Sequence, residues 1–515
     1  MKKFVLSVLA VCFSFSGLFG QVTTGSITGT VKDASGEPLI GATVRAVHQP
    51  TGTAYASSTN VDGRFNIPNM RVGGPYSIEI SFIGFSPRRM NDVYLQLGEP
   101  YVLNATLSAA GTELQEVVVT ADRSSILNAE RTGASTNVRR EQIETLPTLS
   151  RSIQDFTRLS PQAVSVNGNS STSFGGANNR FNNVTIDGAV NNDVFGLAGS
   201  GGLPGGQANT QPISLDAIQE IQVVVAPYDV TLGNFTGGGV NAVTRSGTNT
   251  YQGSLYFFGR NQDVVGKNVF NNSSYPKFND YQYGFRLGGP ILQNKLFFFV
   301  NGELGRRSAP LALNAGEQGS AISLATAELI RNYTLTTYGY DVGNFNSVDA
   351  STENDKLFAR LDWNINDRHQ LTLRHNYITA FDDNLSRSGS SFRFGNNAYK
   401  FNNKQNVTVM ELRSNFSGKF SNNLILGYSA IRDNRDTRGG LFPQVQINNV
   451  DGISGNAVFF GSERSSVANQ LDQDIFEFTD NFKYYAGRHT FTIGTHNEFF
   501  KFRNLFINNL NGRWD

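Results

Sequence analysis

From Thr250 onward the residues alternate. Tyr251, Gly253, Leu255 and Phe257 are apolar or small, while Gln252, Ser254 and Arg260 fall on the other face. The parity returns at Tyr281, Tyr283, Phe285 and Leu287 against Gln282, Gly284 and Arg286. It returns again at Leu357, Ala359, Leu361, Trp363 and Ile365 against Lys356, Arg360, Asp362 and Asn364. After a tight turn ending at His369 come Leu371, Leu373 and Tyr377, and stretches 425–435, 475–485 and 490–502 continue the series. A period of two sustained over about ten residues is the signature of a strand with one face in lipid and one in water. Short turns alternate with long polar segments such as 307–354 and 436–470, an asymmetry that suits a membrane barrel better than a soluble sandwich. The alternation predicts that Phe285 and Leu287 face lipid while Arg286 faces water in the lumen. Residues 404–418 break the rule, with Val407 and Val409 out of phase with Met410, Leu412 and Phe416, and a bulge is expected there. The count comes to about nine strands.

Composition agrees with this class. Hydrophobic residues make up 39% and charged residues 17%, with 53 Gly and 39 Phe, and no stretch approaches eighteen continuous apolar residues. A formal net charge of +1 gives no reason to expect nucleic acid as a partner. Met1-Lys2-Lys3 followed by an apolar run over 4–19, with small residues at Gly17 and Gly20, reads as an export signal over 1–20 cut before Gln21. A single spanning helix is the alternative, but the run is short and no basic cluster follows it. The one cysteine, Cys12, lies inside that signal. The mature chain then has no thiol, which excludes disulfides, thiol catalysis and cysteine-bound metal.

Before the alternating half, three regions differ in character. Residues 21–108 carry short strands separated by turn residues at Ser35-Gly36, Gly41 and Asp62-Gly63, the pattern of a small β-sandwich. Residues 109–124 form a linker containing Glu116-Val117-Val118-Val119-Thr120. Residues 125–247 mix helix and strand. Ile153, Phe156 and Leu159 share one face of a short helix bracketed by Pro147 and Pro161. Thr185-Ile186-Asp187-Gly188 makes a strand and turn, with Asn192-Asp193 beyond it. Ile218 to Val225 reads as a strand, Ala226-Pro227 as a turn, Gly237-Gly238-Gly239 as a bend, and Val240 to Thr244 as a second strand.

At this point the chain resembles the TonB-dependent outer-membrane receptors. IQEIQVV followed by GGGVNAVTRSGTN is similar to the last plug strands before the barrel. The RSGTNTYQGS tail, LGGPI and KLFFFVNGE point to the Oar-like branch. Gly29-Thr30-Val31, Gly36-Glu37-Pro38-Leu39, Gly41-Ala42-Thr43-Val44 and Asp62-Gly63-Arg64-Phe65 resemble the carboxypeptidase-regulatory-like module. Its architecture is shared with starch-binding domains, so carbohydrate binding is one implication, although Asp62-Gly63 also reads as a plain hairpin turn. The resemblance implies a mainly β chain: an N-terminal sandwich, an α+β plug over 125–247, and the first part of an antiparallel transmembrane barrel over 248–515. About nine strands are too few to enclose such a plug, so the expectation is an unclosed, curved sheet from the N-terminal part of a longer protein. Glu116, Val117, Val118, Val119 and Thr120 resemble the TonB box, the segment that pairs with an inner-membrane energy-transducing protein. A β-branched run in a linker can add to a partner's sheet edge, although such a run also occurs as an ordinary interdomain strand. The implied partners are that TonB-type protein, the lipid of the outer membrane, and an external substrate, peptide or glycan.

No catalytic residues, cofactor or metal ligands are expected. His48, His369, His375, His489 and His496 fall in different segments, and His489 and His496 have opposite strand parity. No nucleophile elbow, phosphate loop or dinucleotide fingerprint occurs. Asp187 and Asp193 could suggest calcium, yet Asp and Asn are also common turn formers. Three function classes remain: an active transporter gated by its plug, a surface adhesin whose sandwich grips a glycan, and a secreted hydrolase, for which the catalytic motifs are missing.

Overall fold

The computed structural model describes residues 22–110, 134–148, 150–166, 171–195, 203–227, 229–270, 272–416, 418–487 and 489–515. The expected export signal and the segment 116–120 lie outside the described residues.

The dominant element is a nine-stranded antiparallel sheet whose strands pair in chain order. We call them wall strands one to nine: Gln252–Asn261, Asn279–Leu292, Leu296–Pro310, Asp349–Asn364, His369–Asn384, Tyr399–Phe416, Phe420–Thr437, Ala468–Ala486 and His489–Ile507. The first and ninth do not pair with each other, so the sheet stays open, as expected. Leu255 is 87% exposed on the outer face, and Phe285, Leu287, Leu357, Leu361 and Trp363 join it there. The inner face carries Glu303, Lys356, Arg360, Arg374, Glu411 and Glu477, all buried. Strand six pairs with strands five and seven with no register shift, so the expected bulge is absent. Val407 and Val409 turn inward with Ile425 onto Ala189. The alternation fails there because the inner face is covered by protein rather than water, so apolar residues suit both faces.

That covering protein is a five-stranded mixed sheet ordered Ala189–Val190, Asn183–Ile186, Gly238–Thr244, Ile218–Val225, Ala134–Arg139. Its core of Val138, Ile153, Phe156, Ile221, Val223 and Ala242 takes in Phe299 and Phe358 from the wall. The glycine run is only partly a bend. Gly238 and Gly239 lie within a strand, where a Cβ at Gly238 would sit 2.5 Å from the Phe174 ring and one at Gly239 2.8 Å from Val224. Close packing therefore requires them. The helix Ile153–Thr157 starts at Ser152, whose hydroxyl accepts from the Asp155 amide at 3.3 Å. It buries Ile153 and Phe156 but stops before Leu159, which is exposed, so the expected three-residue face has two members.

Residues 22–108 form two stacked sheets around Ile27, Val31, Val44, Met70, Tyr76 and Ile78. Gly63, at φ 69°, makes the turn at Asp62-Gly63, and the Asn60 side chain accepts from the amides of Asp62 and Arg64. This sandwich rests on the short-turn side of the wall. Asn364 donates to the Thr53 hydroxyl at 2.9 Å, Tyr55 to Gln370 at 3.2 Å, and the Asn249 amide to the Pro50 carbonyl at 2.7 Å.

On the opposite side the long polar segments fold rather than trail. The helix Leu324–Tyr338 is capped by Ser323 and ended by Gly339 at φ 65°. It packs through Ala327 and Ile330 on a core with Val342, Phe345, Phe392, Phe394, Val458 and Phe460. A small sheet of Ser391–Arg393, Ala457–Phe460, Gln444–Asn448 and Arg513–Trp514 completes this outer cap.

Candidate functional site: the polar seam between plug, wall and sandwich

The plug sheet meets the wall largely through charged and polar groups. Asp187 follows the strand Asn183–Ile186 in a left-handed turn, φ 46°, which swings its carboxylate toward the wall. Its oxygens accept from the Thr244 amide and hydroxyl at 2.7 Å each. Two wall arginines complete the ring: Arg374 Nε lies 2.8 Å from Asp187 Oδ2 and Arg360 Nη1 lies 3.4 Å from Oδ1. Arg360 also pairs with Asp362 at 2.8 Å, and Asp362 takes Arg71 of the sandwich at 3.2 Å. One buried ionic chain thus runs from sandwich through wall to plug. The Asp187 oxygens are committed to Thr244 and the two arginines, and among the described residues no cluster of three or more metal-ligating side chains occurs.

Three further contacts tie the same bodies. Glu303 of strand three takes Lys356 at 3.0 Å, the Ser214 hydroxyl at 2.7 Å and the Tyr256 hydroxyl at 3.1 Å. Arg286 of strand two reaches both Glu144 and Asp216 of the plug at 3.3 Å, and Arg151 and Arg245 join the group. On strand eight, Glu477 accepts from the Val190 amide at 2.9 Å, while Asn234 donates to Glu498 at 3.2 Å and His496 bridges the two carboxylates.

Arg286 faces inward as its parity predicts, while Phe285 and Leu287 face out. Its guanidinium, however, does not lie in water; it bonds the plug. His496 turns inward and His489 lies at the exposed start of the same unbroken strand, as opposite parity requires. The expected partner segment Glu116–Thr120 lies outside the described residues. The seam itself was not singled out from the sequence. Its one legible signal is an excess of inward-parity charged residues, Glu303, Lys356, Arg360 and Asp362, where a water-filled lumen would not need matched pairs.

Burial shapes the charges on the plug. Glu220, in the strand Ile218–Val225, accepts from the Leu97 amide at 2.9 Å and from Asn137 at 3.2 Å. Burial pushes its carboxyl up to about 7, against the opposing pull of the Leu97 amide. Burial likewise raises Asp216, with Arg151 and Arg286 opposing it. In the sandwich, burial and the nearby Arg71 charge hold His48 neutral, down at about 3.

The contact is mixed, since Phe299 and Phe358 of the wall also enter the plug core, and the buried ion pairs add geometry more than raw energy.

Comparison with known proteins gives three matching families: the carboxypeptidase regulatory-like domain over residues 26–108, the TonB-dependent receptor plug domain over 128–240, and the outer membrane β-barrel domain over 243–317 and 309–515. The TonB-dependent transporter Oar of Myxococcus xanthus is 28% identical over 302 residues, covering 55% of this chain and 27% of that protein. The TonB-dependent receptor SusC of Bacteroides thetaiotaomicron is 27% identical over 271 residues, covering 50% of this chain and 25% of that protein. The Escherichia coli outer membrane transporter YddB overlays with a TM-score of 0.49 at 13% identity, over 72% of this chain and 48% of that one. The match therefore spans about a quarter of each curated relative's length.

Proposed function

The chain belongs to the TonB-dependent outer-membrane receptors, in their Oar-like branch with an N-terminal carboxypeptidase-regulatory-like domain, and from that premise we propose that it serves active uptake across the outer membrane. The wall binds its substrate from outside, and a TonB-type protein pulling on Glu116–Thr120 shifts the plug. The working units are 21–108, the linker 109–124, the plug 125–247 and the wall 248–515. The protein acts as a carrier and holds no catalytic site of its own.

The observation that carries this reading is the ionic seam. Buried ion pairs fix register more than they add stability, which suits a gate that opens and reseats. The position of the sandwich counts against the adhesin. It touches the short-turn side of the wall, the periplasmic side in outer-membrane barrels, and the folded loops lie opposite.

The test is deletion of residues 116–120 in the full-length receptor. Uptake of labelled peptide or glycan mixtures should be abolished while amounts in the outer membrane and surface binding are unchanged. Uptake that persists in the deletion would sink the transporter reading. Surface binding that disappears with it would favour the adhesin.

A further inference from the structure

A crevice of about 680 Å³ runs between the plug and wall strands one to three. Seven arginines line it against three carboxylates. Near the outer end, Arg260 of strand one holds Asp280 of strand two at 2.7 Å, and Arg307 of strand three stands across from the same Asp280 on its other side. Deeper in, Arg140, Arg151, Arg245 and Arg286 surround Glu144 and Asp216, and the neighbouring Glu303 is taken by Lys356. Asp280 and Arg286 are six residues apart on one strand, so the two groups are separated by about 20 Å. Between them strand one presents Tyr256 and Phe258, and the Arg151 guanidinium stacks 3.7 Å over the Phe258 ring. The Nε of Arg151 is buried with no hydrogen-bond acceptor.

Each feature asks for the same thing. Surplus guanidinium charge in a crevice walled by protein draws oxyanions, and arginine's planar fork suits carboxylate or phosphate. The buried Arg151 Nε is a donor with nothing to donate to, so an acceptor brought into the crevice relieves it. The aromatic strip between the two groups does not suit a ligand that is charged along its whole length. It suits apolar carbon. We propose that this crevice binds an extended ligand with two oxyanion groups held apart by an apolar stretch, the chemistry of an acidic oligopeptide. The proposal rests on the transporter reading, since it names what would pass along the lumen.

The test is a binding measurement on the purified full-length receptor, with no energised partner present. The probe is an end-blocked pentapeptide, Glu-Ala-Phe-Ala-Glu, carrying a neutral fluorophore, with Gln-Ala-Phe-Ala-Gln and inorganic tripolyphosphate as comparisons. The glutamate peptide should bind at least about tenfold more tightly than the glutamine peptide, and its binding should weaken with added salt. The double variant Arg260→Gln, Arg307→Gln should lose roughly tenfold in affinity. Those two side chains lie at the open end, where Arg260 pairs with Asp280 of the wall and Arg307 stands across from it. Arg432→Gln should change nothing, because Arg432 lies on wall strand seven, away from the crevice, where Asp474 meets it at 2.6 Å. Equal binding of the two peptides, or no binding of the acidic one, would overturn the proposal. So would a double variant that binds normally. Tighter binding of tripolyphosphate than of the glutamate peptide would overturn the apolar stretch. None of these results touches the dependence of uptake on residues 116–120, so the two readings fail separately.

Discussion

Arg71 of the sandwich and Asp362 of wall strand four form a buried ion pair, Nη1 to Oδ1 at 3.2 Å, and the same carboxylate binds Arg360 at 2.8 Å. Asp362 is fully buried, so the pair is shielded from salt and from water. It couples the domain at the periplasmic mouth to the ring of charges around Asp187.

Arg71→Met should therefore loosen the sandwich without unfolding the wall. Removing one partner of a buried pair costs roughly 3–5 kcal/mol, and retention of Arg360 beside Asp362 places this change at the lower end. Hydrogen exchange should speed up at 50–55 and 69–76 while the amides of strands five to seven stay protected. Unchanged protection at 50–55 would show that the pair does not hold the domain.

Glu220 makes the plug–sandwich contact sensitive to pH. Its folded value of about 7 lies above the ordinary glutamate range, so the folded state holds the proton more tightly than the unfolded chain. The contribution of this group to stability is then full below about pH 4.5 and declines as pH rises toward 7, by roughly 3 kcal/mol in all. Glu220→Gln should flatten that slope and leave the Leu97 contact in place. Urea unfolding of the sandwich–plug region at pH 5 and pH 8 measures it, and an identical slope in wild type and variant would refute the assignment.

The two faces of strand two give a paired prediction. Phe285→Arg places a charge toward lipid and should cost about 2–4 kcal/mol near the bilayer midplane, reducing the folded wall recovered in membranes. Arg286→Ala should spare the wall but release Glu144 and Asp216, so that protease cuts the plug more readily. If Arg286→Ala lowers wall recovery more than Phe285→Arg does, the face assignment is wrong.

The outer cap has an apolar core of its own. Phe394 is fully buried against Phe345, Phe392 and Phe460, and Phe394→Ala should remove about 3–5 kcal/mol from the cap alone. On intact cells the segment 311–348 should become cleavable while the folded wall persists. Loss of the whole wall instead would mean that the cap is needed for assembly.

What the sequence made legible follows from where each side chain's surroundings are local. The parity of Phe285, Arg286 and Leu287 needs only the strand itself, and it holds. Lys295-Leu296-Phe297-Phe298-Phe299-Val300 is apolar on both faces because Phe297 and Phe299 are buried inward, Phe299 in the plug core, while Phe298 lies on the outer face, which no single-strand rule anticipates. Val407 and Val409 mislead for the same reason, and the search for a bulge there fails. The segment 307–354 looked like loop on polarity alone, although Ser323, Ala327, Ile330 and Gly339 carry the start, buried face and stop of a helix. The seam depends on partners up to 291 residues apart, Arg71 with Asp362, and spacing along a chain says nothing about such pairs.

Glu116–Thr120 is the proposed energy-coupling segment. If Glu116–Thr120 joins a partner by adding a strand to its sheet edge, main-chain hydrogen bonds carry the affinity, and the central residue's amide matters more than its side chain. Val118→Pro removes that amide and fixes the backbone at a φ suited to few strand positions. Val118→Thr keeps the amide and the β-branched shape. Uptake should collapse in the proline variant and survive in the threonine variant, with equal amounts of both in the outer membrane. Substrate binding at the surface should be the same in both, because neither substitution alters the wall or its outer cap. If the proline variant transports normally, the segment pairs elsewhere along 109–124 or by another mode. If both variants fail, side-chain contacts rather than strand addition govern the coupling.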